Sequence, residues 1–293
     1  MVRGIVPRQP AKSGRHEGVR SVARGQQSRG ASRQPKRDGG TGVLARAAAR
    51  ITKPSAKTKV ARTSAAAKGY NPLAPDRIAA ILAGLDQLYP NVTCALHHKS
   101  AWELLVATIL SAQCTDVRVN MVTPGLFAKY PTPRHFAAIE PEDLEPDIRS
   151  TGFFRNKSKS VVGAARKLIA NFNGEVPDEM DKLLTLPGVA RKTANVVLGS
   201  WFHQAAGVVV DTHVHRISRR LELTTADEPG KIEQDLMRVI PRERWILFSH
   251  QVIHHGRQIC IARKPKCVDC PIEVLCHAGD KTWSTVEMHK NAL

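Results

Sequence analysis

Apolar residues recur at spacings of three and four along the chain from about residue 72 onward, the period of a helix with one buried face. Ile78, Ile81, Leu82 and Leu85 share a face after Asp76. Ser100 and Glu103 make a capping-box pattern ahead of Trp102, Leu105, Val106, Ile109 and Leu110. Another helix is predicted from near Asn156, with Val161, Val162, Ala165, Leu168 and Ile169 turned inward. Pro177 and Asp178 start a short helix ending at Leu186, where Pro187 and Gly188 turn the chain into the next one. Val214, Ile217 and Leu221 follow Asp211, which is placed to cap their helix. Trp245, Phe248, Val252 and Ile253 mark a last long helix running toward Cys260. The exception to this helical period is the short run Val208 to Val210, which reads as strand. The pattern predicts an all-α protein.

Charge divides the chain differently. The formal net charge is +18 over 293 residues, and residues 1–70 hold seventeen Lys and Arg against only Glu17 and Asp38. The remainder carries 27 basic and 24 acidic residues. The first segment has no Phe or Trp, so it cannot bury enough apolar surface to offset its ordering entropy and is expected to be a disordered basic tail. Three roles suit it: an arm that adds phosphate contacts to DNA, an organelle transit peptide, or a dispensable tail. The remaining 220 or so residues can build one large or two small cores. With no signal-peptide core after Met1 and no bilayer-length apolar stretch, an intracellular, cytoplasmic or nucleoid location is expected, with nucleus or organelle as alternatives.

Two constellations carry candidate chemistry. Residues 186–198 read LPGVARKTANVVL, a Pro-Gly turn into a helix that places Lys192 near the positive end of the helix dipole. Unpaired amides there disfavour the protonated amine, as any burial would, and a neutral amine can attack carbon. Asp211 follows nineteen positions later in VVVDTHVHR, and a carboxylate beside such an amine can stabilise a cationic sugar and move protons. The plainer readings are a solvated helix lysine and a helix cap. Cys260, Cys267, Cys270 and Cys276 form C-x6-C-x2-C-x5-C. In a reducing compartment such crowding points to metal, zinc or a 4Fe-4S cluster, and spacing does not choose between them. Cys94 and Cys114 lack partners at ligand spacing and are expected to be buried thiols.

The hairpin LPGVARKTANVV, the VDTH segment, LLVATILSAQCTD from Leu104 to Asp116 and the four-cysteine loop stand in the order seen in the endonuclease III family, and the chain resembles that family from about residue 73 to 284. The family comprises bifunctional DNA glycosylases of the helix-hairpin-helix superfamily that act on oxidised or ring-saturated pyrimidines. The resemblance implies two helical domains with a DNA-binding cleft between them: a six-helix barrel over 94–204, and a discontinuous domain of 72–93 with 205–293 that carries a 4Fe-4S cluster. It places Lys192 in the first and Asp211 in the second. The partner it implies is double-stranded DNA with damaged pyrimidines or abasic sites, engaged by a monomer. The reaction it implies is base release followed by β-elimination through a lysine Schiff base.

Further site residues follow. Backbone amides of Gly188, Val189 and Ala190 at a helix start can hold a phosphate. The family has glycine where Ala190 stands, and if that position needs positive φ the alanine costs about 1 kcal/mol. A base inside a duplex must be flipped out and its place filled. By resemblance Gln113 enters the duplex and Phe153 holds the place of the family's second wedge, commonly leucine; core packing is the alternative for Phe153. Asp116 and His213 are expected to line the pocket, or else to be ordinary helix-end residues. Arg263, Lys264 and Lys266 lie between the first two cluster cysteines and are expected to bind phosphates. His250, His254 and His255 are left out, since four thiols complete a metal's ligand set.

Two other readings remain at this point. An adenine-mismatch glycosylase of the same superfamily also carries the cysteines, but lacks the lysine at the position of Lys192 and adds a C-terminal domain. A non-catalytic iron-sulfur DNA-binding redox sensor would use the same hairpin and basic loop.

Overall fold

The computed structural model describes residues 70–282. The expected disordered tail therefore lies outside the described residues, apart from Tyr70. Among the described residues eleven α-helices follow one another: α1 (Pro75–Leu88), α2 (Ala101–Leu110), α3 (Asp116–Lys129), α4 (Pro133–Ala137), α5 (Pro141–Ile148), α6 (Phe154–Phe172), α7 (Met180–Leu184), α8 (Arg191–Ser200), α9 (Thr212–Arg220), α10 (Pro229–Val239) and α11 (Trp245–Gln258). Among the described residues there is no strand, and no helix is long and apolar enough to cross a membrane.

The apolar stripes close on two separate centres. One is built by α2 through α8, around Leu104, Leu105, Leu110, Phe136, Leu144, Leu168 and Leu198. The other gathers α1, α9, α10 and α11 around Ile81, Leu85, Ile217, Leu236, Phe248 and Val252. The second centre is therefore made from both ends of the described chain. A helix contributes one face, so its partners are chosen by which stripes remain to be covered, and sequence distance does not enter.

Three local expectations are corrected. The Ser100 hydroxyl accepts the N–H of Glu103 at 3.1 Å, but the Glu103 carboxylate takes the N–H of Lys99 at 2.6 Å, one residue before the position a capping box uses. Helix α7 begins at Met180, because Asp178 and Glu179 form a bend, and it stops at Leu184; Leu186 still points inward at 2 % exposure. Val208 to Val210 is extended but pairs with no strand. Val208 and Val210 enter the second core while the N–H of Val209 between them is satisfied by the Ser249 hydroxyl at 3.1 Å, so the alternation records a crossing segment buried on two sides.

Candidate active site and metal centre

The turn before α8 is shaped by its neighbours on α6. Gly188 has φ +75°, and a Cβ there would lie 2.5 Å from the Cβ of Ser160, so both conformation and space require glycine. Ala190 has φ −95° and ψ 170°, ordinary extended backbone at the N-cap of α8. The expected alanine penalty is therefore absent, since the left-handed residue of this turn is Gly188. The N–H of Val189 donates to the carbonyl of Leu186 at 3.2 Å and Val189 is buried, so it closes the turn itself; among the described residues the amides of Gly188 and Ala190 carry no such bond. Lys192 is the second residue of α8, within its first turn, and is exposed.

Asp211 caps α9. Its Oδ1 accepts the N–H groups of His213 and Val214, both at 2.8 Å, which holds the carboxylate rigidly and, among the described residues, leaves Oδ2 without a hydrogen bond. Lys192 comes from a helix of the first core and Asp211 from one of the second. The two line the same cleft, of about 600 Å³. Asp116, at the start of α3, also lines it and pairs with Arg257 of α11 at 2.7 Å, joining the two cores across the cleft. His213 is not on the lining: its Nδ1 lies 3.2 Å from the Arg216 guanidinium and its ring packs against Gly256, where burial and then the nearby arginines pull its pKa below the usual range.

Sequence reading missed several of these groups. His250, His254 and Arg257 are spaced four and three apart on α11 and all face the cleft. That spacing is a helical stripe of polar residues, a signal that was there to find. Burial, with His254 adding to it, drives His250 down to about 4. Glu233 carried no signal. From α10 in the second core its carboxylate takes Arg191 Nε at 2.8 Å and Asn195 Nδ2 at 2.8 Å, on either side of Lys192 along α8. Gly207 packs directly on this pair, since a Cβ there would stand 2.1 Å from Glu233 Oε1.

Gln113 and Phe153 both hold left-handed backbone, with φ of +52° and +48°. Neither is a glycine, and such conformations concentrate at functional turns. Gln113 is exposed and Phe153 is 61 % exposed, which removes core packing as an account of Phe153; Phe154 is the ring that packs on the first core.

The four cysteines line one cavity of about 330 Å³ with Arg220 and Pro265. Among the described residues no three metal-binding groups stand close enough to hold a single ion. Burial, with the three neighbouring thiols, pushes Cys270 up to about 12, and burial likewise raises Cys276. Metal ligation would displace those protons. Arg220 is nearly buried; its guanidinium donates to Cys260 Sγ at 3.1 Å, to Ile261 O at 2.8 Å and to Asp280 at 2.5 Å. Arg263, Lys264 and Lys266 are exposed on the loop so organised, and among the described residues none is in an ion pair.

Residues 106–242 match the HhH-GPD superfamily of base excision DNA repair proteins. Endonuclease III of Synechocystis sp. is 56% identical over 200 residues, covering 68% of this chain and 91% of the relative. Endonuclease III of Escherichia coli K12 is 39% identical over 201 residues, covering 69% and 95%. A trapped endonuclease III–DNA covalent intermediate superposes with a TM-score of 0.67 at 44% identity over 69% of this chain and 95% of that one. A non-covalent endonuclease III–DNA complex gives 0.68 at 42% identity over 73% and 98%. With a fold of helices on two cores and such identity across nearly the whole length of these relatives, the chain belongs to the endonuclease III family, DNA glycosylases of base excision repair.

Proposed function

We propose that the protein is bifunctional, releasing oxidised or ring-saturated pyrimidines from double-stranded DNA and then cutting at the abasic site. The observation that carries this reading is the convergence of Lys192 and Asp211, from separate cores, on one cleft. The Lys192 Nζ lone pair bonds to C1′ of the flipped nucleotide while the C1′–base bond breaks and the base leaves with that bond's electron pair, to be protonated. Asp211 offsets the positive charge that builds on the sugar. The Asp211 carboxylate then takes a proton from the Nζ–C1′ ammonium and passes it to O4′ as the C1′–O4′ bond breaks, which leaves a protonated Schiff base between Nζ and C1′. Loss of a proton from C2′ then expels the 3′ phosphate oxygen, cutting the strand on the 3′ side.

The remaining residues have supporting parts in this proposal. Gly188 and Ala190 amides, with Arg263, Lys264 and Lys266, bind phosphates; Asp116 and Arg257 line the base pocket; Gln113 and Phe153 fill the gap left by the flipped nucleotide. Residues 94–204 act as one domain, and 72–93 with 205–293 as the other. Cys260, Cys267, Cys270 and Cys276, which line one cavity, would hold a 4Fe-4S cluster through their four thiolates. Such a cluster would serve as a structural tie for the basic loop. The protein works as a monomer.

Borohydride trapping on a thymine-glycol or abasic duplex tests the proposal. The expected result is a covalent protein–DNA adduct that Lys192→Ala abolishes, with Asp211→Asn retaining DNA binding and losing most base release. An adduct of undiminished yield in Lys192→Ala would remove Lys192 as the nucleophile. No adduct from the wild-type protein would overturn the Schiff-base route.

A further inference from the structure

Lys157, on the first turn of α6, is 4 % exposed. Among the described residues no carboxylate pairs with it. Its ammonium donates instead to two backbone carbonyls, Leu110 O at 2.8 Å and Thr151 O at 2.8 Å. Burying a lysine without an acid is costly, and a methionine would fill the same space without that cost. The two carbonyls indicate what the charge is for. Leu110 is the last residue of α2, and Thr151 ends the 3-10 turn Arg149–Thr151. Each carbonyl lies at a helix C-terminus, where unpaired oxygens and the helix dipole favour a cation.

Both ends lead directly into the exposed, left-handed residues. After Leu110 the chain makes the turn closed by Cys114 N–H to Ser111 O at 3.0 Å, with Gln113 at φ +52°. After Thr151 come Gly152 at φ +71° and Phe153 at φ +48°. Lys157 is therefore one point fastened to the roots of two strained turns that are 40 residues apart in sequence. The same helix meets the phosphate-binding hairpin farther along, where Ser160 lies against Gly188 and Gly163 against Pro187.

We propose that Lys157 is a positioning residue that holds the Gln113 and Phe153 turns at a common depth, so that both enter the duplex together when the damaged nucleotide leaves it. This rests on the wedge roles given above to Gln113 and Phe153. Lys157 touches neither DNA nor the reacting atoms. Its effect is confined to substrates that have a stack to enter.

That confinement separates positioning from mere stability. With the full chain, the rate of base release from a thymine-glycol duplex is compared with strand cleavage of a single-stranded abasic oligonucleotide, and fluorescence of 2-aminopurine opposite the lesion reports insertion. Lys157→Met is expected to lower the duplex rate by about 10- to 100-fold, the scale of a misplacement near 1 Å, and to abolish the fluorescence rise. Single-strand cleavage should stay within about twofold, as no gap need be filled. Added to a variant already carrying Gln113→Ala and Phe153→Ala, Lys157→Met should change the duplex rate no further. Parallel loss on both substrates, or an undiminished effect in the wedge-free background, would overturn the proposal. Should Lys157→Met not fold, Lys157→Gln keeps an amide donor and is read by the same ratio. A wild-type protein that raises the fluorescence yet leaves the abasic strand uncut would refute the lyase reading, while Lys157 remains testable from fluorescence alone.

Discussion

Asp211 is fixed by two backbone N–H bonds to a single oxygen, so its place is set by the helix it caps. A cap is thus also a placed carboxylate, and capping is compatible with the role proposed above for this residue. His250 shows the opposite use of burial, with a pKa brought to about 4 against 6.5 for an unstrained imidazole. The fold favours its neutral form, so its contribution to stability is complete above pH 6.5 and is lost as pH falls from 6.5 toward 4. Roughly 2–3 kcal/mol should disappear over that window. Urea unfolding across pH 4 to 7 checks this: His250→Gln should flatten part of the acid loss, and identical slopes in the two proteins would exclude the assignment. Ala190 needs no such argument, because its backbone is extended and glycine would relieve nothing there.

At the scale of elements, α8 is held on both sides of the turn that carries Lys192. Ser160 and Pro187 contacts set the hairpin against α6, and Glu233 reaches from α10 to Arg191 and Asn195. Glu233 is 7 % exposed while Arg191 is 50 % exposed, so breaking the pair costs less than for two buried charges. Glu233→Gln is expected to lose roughly 1–2 kcal/mol of stability. The larger effect should be on chemistry: with α8 less tightly tied to the core that carries Asp211, the rate constant for base release should fall on the order of 10-fold while DNA affinity changes little. Single-turnover kinetics beside equilibrium binding would separate these. A fall in affinity with an unchanged rate constant would place Glu233 in binding alone.

For the whole molecule, most of the net charge lies in the sequence before the described residues. Residues before Tyr70 lie outside the described structure, but their seventeen cations against two acids act on any polyanion. Removing residues 1–69 is expected to weaken binding to undamaged duplex and to make the dependence of log K on log salt shallower, each lost phosphate contact reducing the slope by about 0.9. Lesion cleavage under single-turnover saturation should be unchanged. An unaltered salt slope in the truncated protein would exclude the segment from DNA contact.

Helical periodicity, the cap at Asp211, the Pro-Gly turn and the spacing of four cysteines were legible in the chain, because each depends on neighbours within a few residues and on chemistry intrinsic to the side chain. The order of those motifs was enough to name the family. Tertiary structure alone decided that Lys192 and Asp211 share a cleft, that Phe153 is exposed and Phe154 packed, and that the left-handed residue of the hairpin is Gly188 and not position 190. It alone revealed Glu233, Arg257 and Lys157 as ties, 42, 141 and 47 residues from their partners Arg191, Asp116 and Leu110. A hydrophobic stripe states that a face will be buried, but not against what. Long polar side chains are placed by the surfaces those stripes bring together, and that is settled only when both cores close.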